Sequence, residues 1–154
     1  MLVKDIMSCG VRTVTPETPL AEVVSLMCLY RYSGLPVVEG SRLVGIIAEK
    51  DVLNTMFPSL EELMEGMAAI NLDEMMDRYQ DVVKLKVADV MTGNCKTVAP
   101  DMHILRAAAV MAHYRFRRIP VADGDDLVGM LSLGDVHKAI FHANLATNLT
   151  PKKD

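Results

Sequence analysis

The phrase GIIAEKDV, residues 45–52, returns as GMLSLGDV at residues 129–136, and that return constrains the fold more than any other feature. Residues 3–57 laid over 87–141 at a constant offset of 84 need no gap, and 18 of the 55 pairs are identical. The matches fall at structural punctuation: Met7 with Met91, Thr13 with Thr97, Pro16 with Pro100, Pro36 with Pro120, Gly45 with Gly129, Asp51 with Asp135. A chain of 154 residues holds one domain or two half-domains sharing a core. A duplicated supersecondary unit follows.

Each copy reads alike. A lead-in (VKDIM, VADVM) reaches a β-rich step ending in Thr-Val, then a proline. A helix comes next. In the first copy Thr18 is placed to cap it, with Pro19 at the first helical position. Leu20, Val23, Val24 and Met27 then share one helical face, as do Ile104, Ala107, Ala108 and Met111. LPVVEGSRLVGII and IPVADGDDLVGML each place two apolar runs around a glycine turn, which predicts a hairpin. A further helix closes the unit, so the order is β-α-β-β-α, twice. Residues 58–86 form an insert with a capping-box spacing at Ser59 and Glu62, and read as an acidic helical hairpin. Its methionines, Met64, Met67, Met75 and Met76, suit either packing against the body or a partner contact. The expected divisions are 1–57, 58–86, 87–143 and a polar tail at 144–154.

Just over half of the residues are apolar, so a packed globule is expected rather than disorder. The opening MLVKDIM lacks a signal pattern, and no apolar run nears the ~20 residues of a membrane span. A soluble, cytoplasmic protein with no membrane partner is the expectation. The net charge of −4 argues against nucleic acid. That charge is unevenly spread. Residues 58–86 hold seven acids against three bases, while 103–118 hold four arginines and no acid, a candidate anion site. Cys9, Cys28 and Cys95 form no CxxC and read as free thiols. His103, His113, His137 and His142 are scattered, so no metal site is expected. Neither a G-x-S-x-G nor a P-loop occurs, and an enzyme is not expected.

The tandem phrases DIM…TVTP…LPVVEG…LVGIIAEKDV and DVMT…TVAP…RIPVADG…LVGMLSLGDV resemble a pair of CBS domains, the arrangement called a Bateman module. The resemblance spans nearly the whole chain except the insert and the tail. It implies an α+β fold of two pseudo-symmetric repeats packed as one module. It also implies a stand-alone regulatory, non-enzymatic protein that binds an adenosine nucleotide (AMP, ADP or ATP) in the clefts between the repeats. No cofactor is required on this reading, a homodimer is expected, and the insert offers a surface to a protein partner. In the family's Gly-x-x-Ser/Thr-x-x-Asp motif, Asp135 would accept hydrogen bonds from ribose hydroxyls and Ser132 would meet phosphate. Arg117 and Arg118 would also meet phosphate, while Lys96, Thr97, Ile119 and Pro120 would line the adenine slot. Thr13 and Asp51 stand at the matching places in the first copy.

The copies are unequal where it matters. The first keeps Asp51 but carries Ala48, Ser33 and Gly34 where the second carries Ser132, Arg117 and Arg118. The second-repeat cleft is therefore expected to bind. Other readings stay open. Ser132-x-x-Asp135 ahead of a helix is also a capping box, and the arginines suit a solvated helix end. A dimerisation or interaction scaffold without nucleotide, or a sensor of S-adenosylmethionine type, are the alternative functions. The two arginines beside one Asp only speak against the scaffold.

Overall fold

The computed structural model describes residues 1–57, 59–64, 66 and 71–148. The chain forms two compact units, Arg12–Cys95 and Met1–Val11 with the chain from Lys96 onward. In the first unit, helix α1 (Leu20–Tyr30) leads to strands β1 (Gly34–Glu39) and β2 (Arg42–Ala48), then α2 (Glu49–Asn54). Helices α3 (Leu60–Met64), α4 (Leu72–Val82) and α5 (Val87–Val90) follow, with a short strand β3 (Thr92–Gly93). The second unit repeats the plan with α6 (Ile104–Tyr114), β4 (Arg118–Asp123), β5 (Asp126–Ser132) and α7 (Leu133–Asn148). The β-rich step of each copy is a single parallel bridge, Val14 to Val37 and Val98 to Val121.

The hairpins are antiparallel, and both slip at one place, Val37/Val38 and Val121/Ala122. Gly40 and Gly124 take φ +62° in the turns, the left-handed conformation that glycine adopts without steric cost. On the inner side, Leu20, Val23 and Met27 of α1 pack with Leu35, Val37 and Ile47. Their counterparts Ile104, Ala107 and Met111 pack with Ile119, Val121 and Leu131.

The units cut the chain differently from the repeats. The second copy's lead-in lies on the first copy's hairpin, with Thr92 and Gly93 paired to Ile46 and Gly45. Reciprocally, Ser8 bridges Met130, exchanging hydrogen bonds of 2.9 Å in both directions. This explains the repeated glycine. A Cβ on Gly45 would stand 2.7 Å from the Thr92 carbonyl oxygen, and one on Gly129 would stand 2.8 Å from that of Ser8. Asp5 and Asp89 close the lead-in turns by accepting from the Leu2 and Lys86 amides at 2.7 and 2.9 Å.

Three local expectations change. Pro19, with ψ 138°, is the N-cap of α1 rather than its first residue, and Thr18 does not cap it. The Thr18 hydroxyl instead accepts from the Thr15 amide at 3.0 Å. The Leu20 and Ala21 amides, free at the helix start, donate to the carbonyls of Leu85 and Val83, so no side-chain cap is required. Helix α7 continues past residue 143 to Asn148, with Asn144 and Thr147 side chains bonding back to Ile140 and Ala143 carbonyls; residues 149–154 lie outside the described ones. Between the repeats, Ser59 and Glu62 form the expected capping box at 3.0 and 3.2 Å. The methionines there divide: Met75 is buried, Met64 and Met76 are exposed, and Met67 lies outside the described residues.

Candidate functional site

In the second unit the end of β5 and the start of α7 make a compact polar step. The Ser132 hydroxyl donates to Asp135 Oδ2 at 2.6 Å and accepts from the Asp135 amide at 3.0 Å. The Ser132 amide adds a second bond to the same Oδ2 at 3.2 Å. This is the reciprocal capping box that the sequence allowed, satisfying two amides at the helix start. It does not exhaust the carboxylate. Among the described residues, all of its hydrogen bonds fall on Oδ2, and an ionised carboxylate offers about four acceptor positions. Asp135 is half-buried, and among the described residues no hydrogen bond falls on Oδ1.

The fold brings the arginines to this step. Arg118 is the register partner of Ser132 across β4 and β5, and the Arg117 carbonyl accepts from the Leu133 amide at 3.0 Å. Both arginine side chains are exposed. The Val98–Val121 bridge, with the Val98 amide donating to the Pro120 carbonyl at 3.1 Å, runs Lys96 and Thr97 beside Ile119 and Pro120. Lys96 and Thr97 are exposed. Ile119 and Pro120 are buried, and Ile119 belongs to the core opposite Leu131, so these two hold the strand that carries Arg118.

Sequence reading missed an aromatic feature beside Lys96. The Lys96 ammonium lies 5.4 Å from the centre of the Tyr114 ring, and that ring stacks on Phe116 at 5.5 Å and 16°. The other unit repeats the arrangement. Arg12 lies 4.6 Å over Tyr30, which stacks on Tyr32 at 5.8 Å. The signal was present: all three positions match at the offset of 84, and four of the chain's seven tyrosines and phenylalanines stand there.

The remaining candidates, Thr13 and Asp51, belong to the first unit. Thr13 precedes Val14, whose amide donates to the Pro36 carbonyl at 3.0 Å. Asp51 Oδ2 accepts from the Ala48 amide at 2.9 Å, half of a capping box, because Ala48 has no hydroxyl to complete it. Ser33 and Gly34 occupy the two arginine positions, the Ser33 carbonyl accepting from Glu49 and Gly34 facing Ala48. Among the described residues no group of three or more His, Cys, Asp or Glu side chains is placed to hold a metal ion. Cys9 and Cys28 are exposed free thiols, and burial pushes the Cys95 thiol pKa up. Among the described residues no helix is long and apolar enough to cross a membrane.

A sequence model of the CBS domain matches residues 3–57 and 87–142. An uncharacterised protein of Methanocaldococcus jannaschii is 34% identical over 154 residues, covering 91% of each chain. A CBS domain-containing protein of Bacillus subtilis, YhcV, is 30% identical over 134 residues, covering 87% of this chain and 81% of the relative. Among solved structures, CBSX2 of Arabidopsis thaliana in complex with AMP superposes with a TM-score of 0.73 at 25% identity, covering 93% of this chain and 98% of that one.

Proposed function

This chain belongs to the CBS-domain family as a tandem pair, a Bateman module, and from that premise we propose that it is a non-enzymatic, cytoplasmic regulatory module sensing an adenosine nucleotide at the Asp135 site. The observation that carries this reading is the half-buried Asp135 with an unengaged carboxylate oxygen, placed beside two exposed arginines. A carboxylate suits a ribose diol because it accepts from two hydroxyl donors, and guanidinium forks suit phosphate. The start of α7 favours the same charge, since its first amides and dipole attract anions. The AMP-bound relative supports the ligand class.

The roles divide along the site. Asp135 takes the ribose hydroxyls on Oδ1, and Arg117 and Arg118 take phosphate. The main chain at Lys96, Thr97, Ile119 and Pro120 borders the base. Ser132 has a choice to make, because its one hydroxyl proton is given to Asp135. To reach phosphate it must turn and release that bond, so nucleotide binding reorganises the start of α7. Such differential contact is what a signalling equilibrium needs, here within a homodimer. Thr13 and Asp51 form the weaker or differently specific counterpart. Exposed Leu60, Met64, Leu72 and Met76 favour a second role, a protein contact through residues 58–86.

Calorimetry and thermal shift with AMP, ADP, ATP and S-adenosylmethionine test the proposal on wild type and Asp135→Ala. The expectation is binding of a nucleotide by wild type and loss of at least about tenfold in affinity in the variant, since a hydrogen bond to a charged group contributes about 1.5–3 kcal/mol. Ligand at 100 times its Kd should add about 2.7 kcal/mol to stability. Flat curves with every compound would leave Ser132 and Asp135 as a helix cap alone, and the scaffold reading would take over.

A further inference from the structure

We infer that Tyr114 is a positioning residue that holds Lys96 as the third cation of the Asp135 site, and that the pair selects a nucleotide carrying more than one phosphate. The inference rests on the reading of that site as nucleotide-binding. A phosphate monoester carries about −1.5 to −2 at neutral pH, which Arg117 and Arg118 together match. A second phosphate adds negative charge that the two guanidiniums do not cover. Lys96 is a further cation at this end of the unit, placed by the Val98–Val121 bridge alongside the strand that begins at Arg118.

Its side chain is not left to wander. The ammonium sits 5.4 Å from the Tyr114 centroid, within the distance over which an aromatic face attracts a cation, about 6 Å. The ring is itself anchored. Arg115 adopts the left-handed conformation at the end of α6 (φ 58°), and the Phe116 amide returns to the Met111 carbonyl at 2.8 Å. That turn stacks Phe116 under Tyr114 and packs Phe116 against the core of the unit. Tyr114 nevertheless keeps 43% of its surface exposed, more than a core packing role requires. A lysine already gathered onto a ring has less rotamer freedom to lose when an anion arrives.

The other unit supplies an internal control. Arg12, Tyr30 and Tyr32 repeat the cation-on-ring geometry, so the pair belongs to the repeated architecture. Only beside Asp135 does it join two further cations, because Ser33 and Gly34 replace them in the first copy. Phosphate counting is thereby confined to the second repeat.

The test measures Kd for AMP and ADP by calorimetry on wild type, Lys96→Met, Tyr114→Leu and Tyr114→Phe, with melting temperatures recorded for each. Wild type should bind ADP more tightly than AMP. Lys96→Met should weaken ADP about fivefold or more, and AMP by a distinctly smaller factor, the scale of one partly solvated charge-assisted contact. Tyr114→Leu should reproduce the ADP-selective loss at about two- to fivefold, the range of an exposed cation–π contact. Tyr114→Phe keeps the ring face and should restore it. Preference of wild type for AMP, equal weakening of both ligands by Tyr114→Leu, or tighter ADP binding in that variant would overturn the inference. If wild type binds neither nucleotide, the reading of the site fails and takes the inference with it. If binding is present and lost in Asp135→Ala, but the ADP-to-AMP ratio ignores Tyr114→Leu, the inference alone fails.

Discussion

The two units share a skeleton and differ in its polar dressing. Met27 and Met111, Leu35 and Ile119, Ile47 and Leu131 fill equivalent core positions, and Gly45 and Gly129 admit equivalent lead-ins. Three of the differences, 33, 34 and 48 against 117, 118 and 132, gather where the hairpin meets the closing helix. Close packing explains the pattern. A core or glycine position is held by neighbours on every side, whereas a half-exposed hydroxyl or an exposed arginine can be exchanged with little effect on folding. One copy can thus lose these polar groups and keep the fold.

The largest effect that would break this equivalence concerns the glycines. Gly45→Ala and Gly129→Ala should each destabilise the protein by about 1–3 kcal/mol, because the new methyl meets main-chain oxygen at 2.7 or 2.8 Å and backbone must move. Urea denaturation measures both. A cost in one variant and none in the other would show that the two lead-ins are not equivalently seated.

A smaller effect sharpens the difference between the copies. Ser132→Ala gives the second copy the half-box of the first and should lower stability by about 1 kcal/mol, the usual worth of a serine cap. Ala48→Ser supplies the missing hydroxyl opposite Asp51 and should raise stability by a similar amount. If Ala48→Ser gives no gain, the start of α2 differs from that of α7 in more than its cap.

The fold was legible because duplication provides two readings of one pattern. Faces such as Ile104, Ala107 and Met111 repeat those of the first copy and land in the core. The exchange of lead-ins was not legible, for a physical reason. VKDIM and VADVM carry the same apolar spacing, so each fits either hairpin, and the choice is made by chain connection and packing. At the candidate site, Ser132, Asp135, Arg117 and Arg118 stand out in the sequence as motif and local charge. The Lys96–Tyr114 contact joins residues from different elements with no local periodicity between them, and only the repeat offset hinted at it.

The smallest expected effect separates the units by pH. Lys86 donates to Glu17 at 2.8 Å in the first unit, while the equivalent positions in the second are Leu2 and Asp101 and form no such pair. The hydrogen bond and charge of Glu17 raise the Lys86 pKa above the ordinary lysine value, with slight dehydration opposing and Asp89 assisting. A raised folded-state pKa means that the folded protein holds this proton more tightly than the unfolded chain. The resulting stabilisation is therefore full below the unfolded lysine pKa, about 10.4, and is lost as pH climbs through the higher folded value. Both side chains are well exposed, so the contribution is small and screened by salt. Glu17→Gln should be slightly less stable than wild type at pH 7 in low salt, with the gap closing above pH 11 or in molar salt. Asp101→Asn, its counterpart in the second unit, should show no such pH-dependent gap.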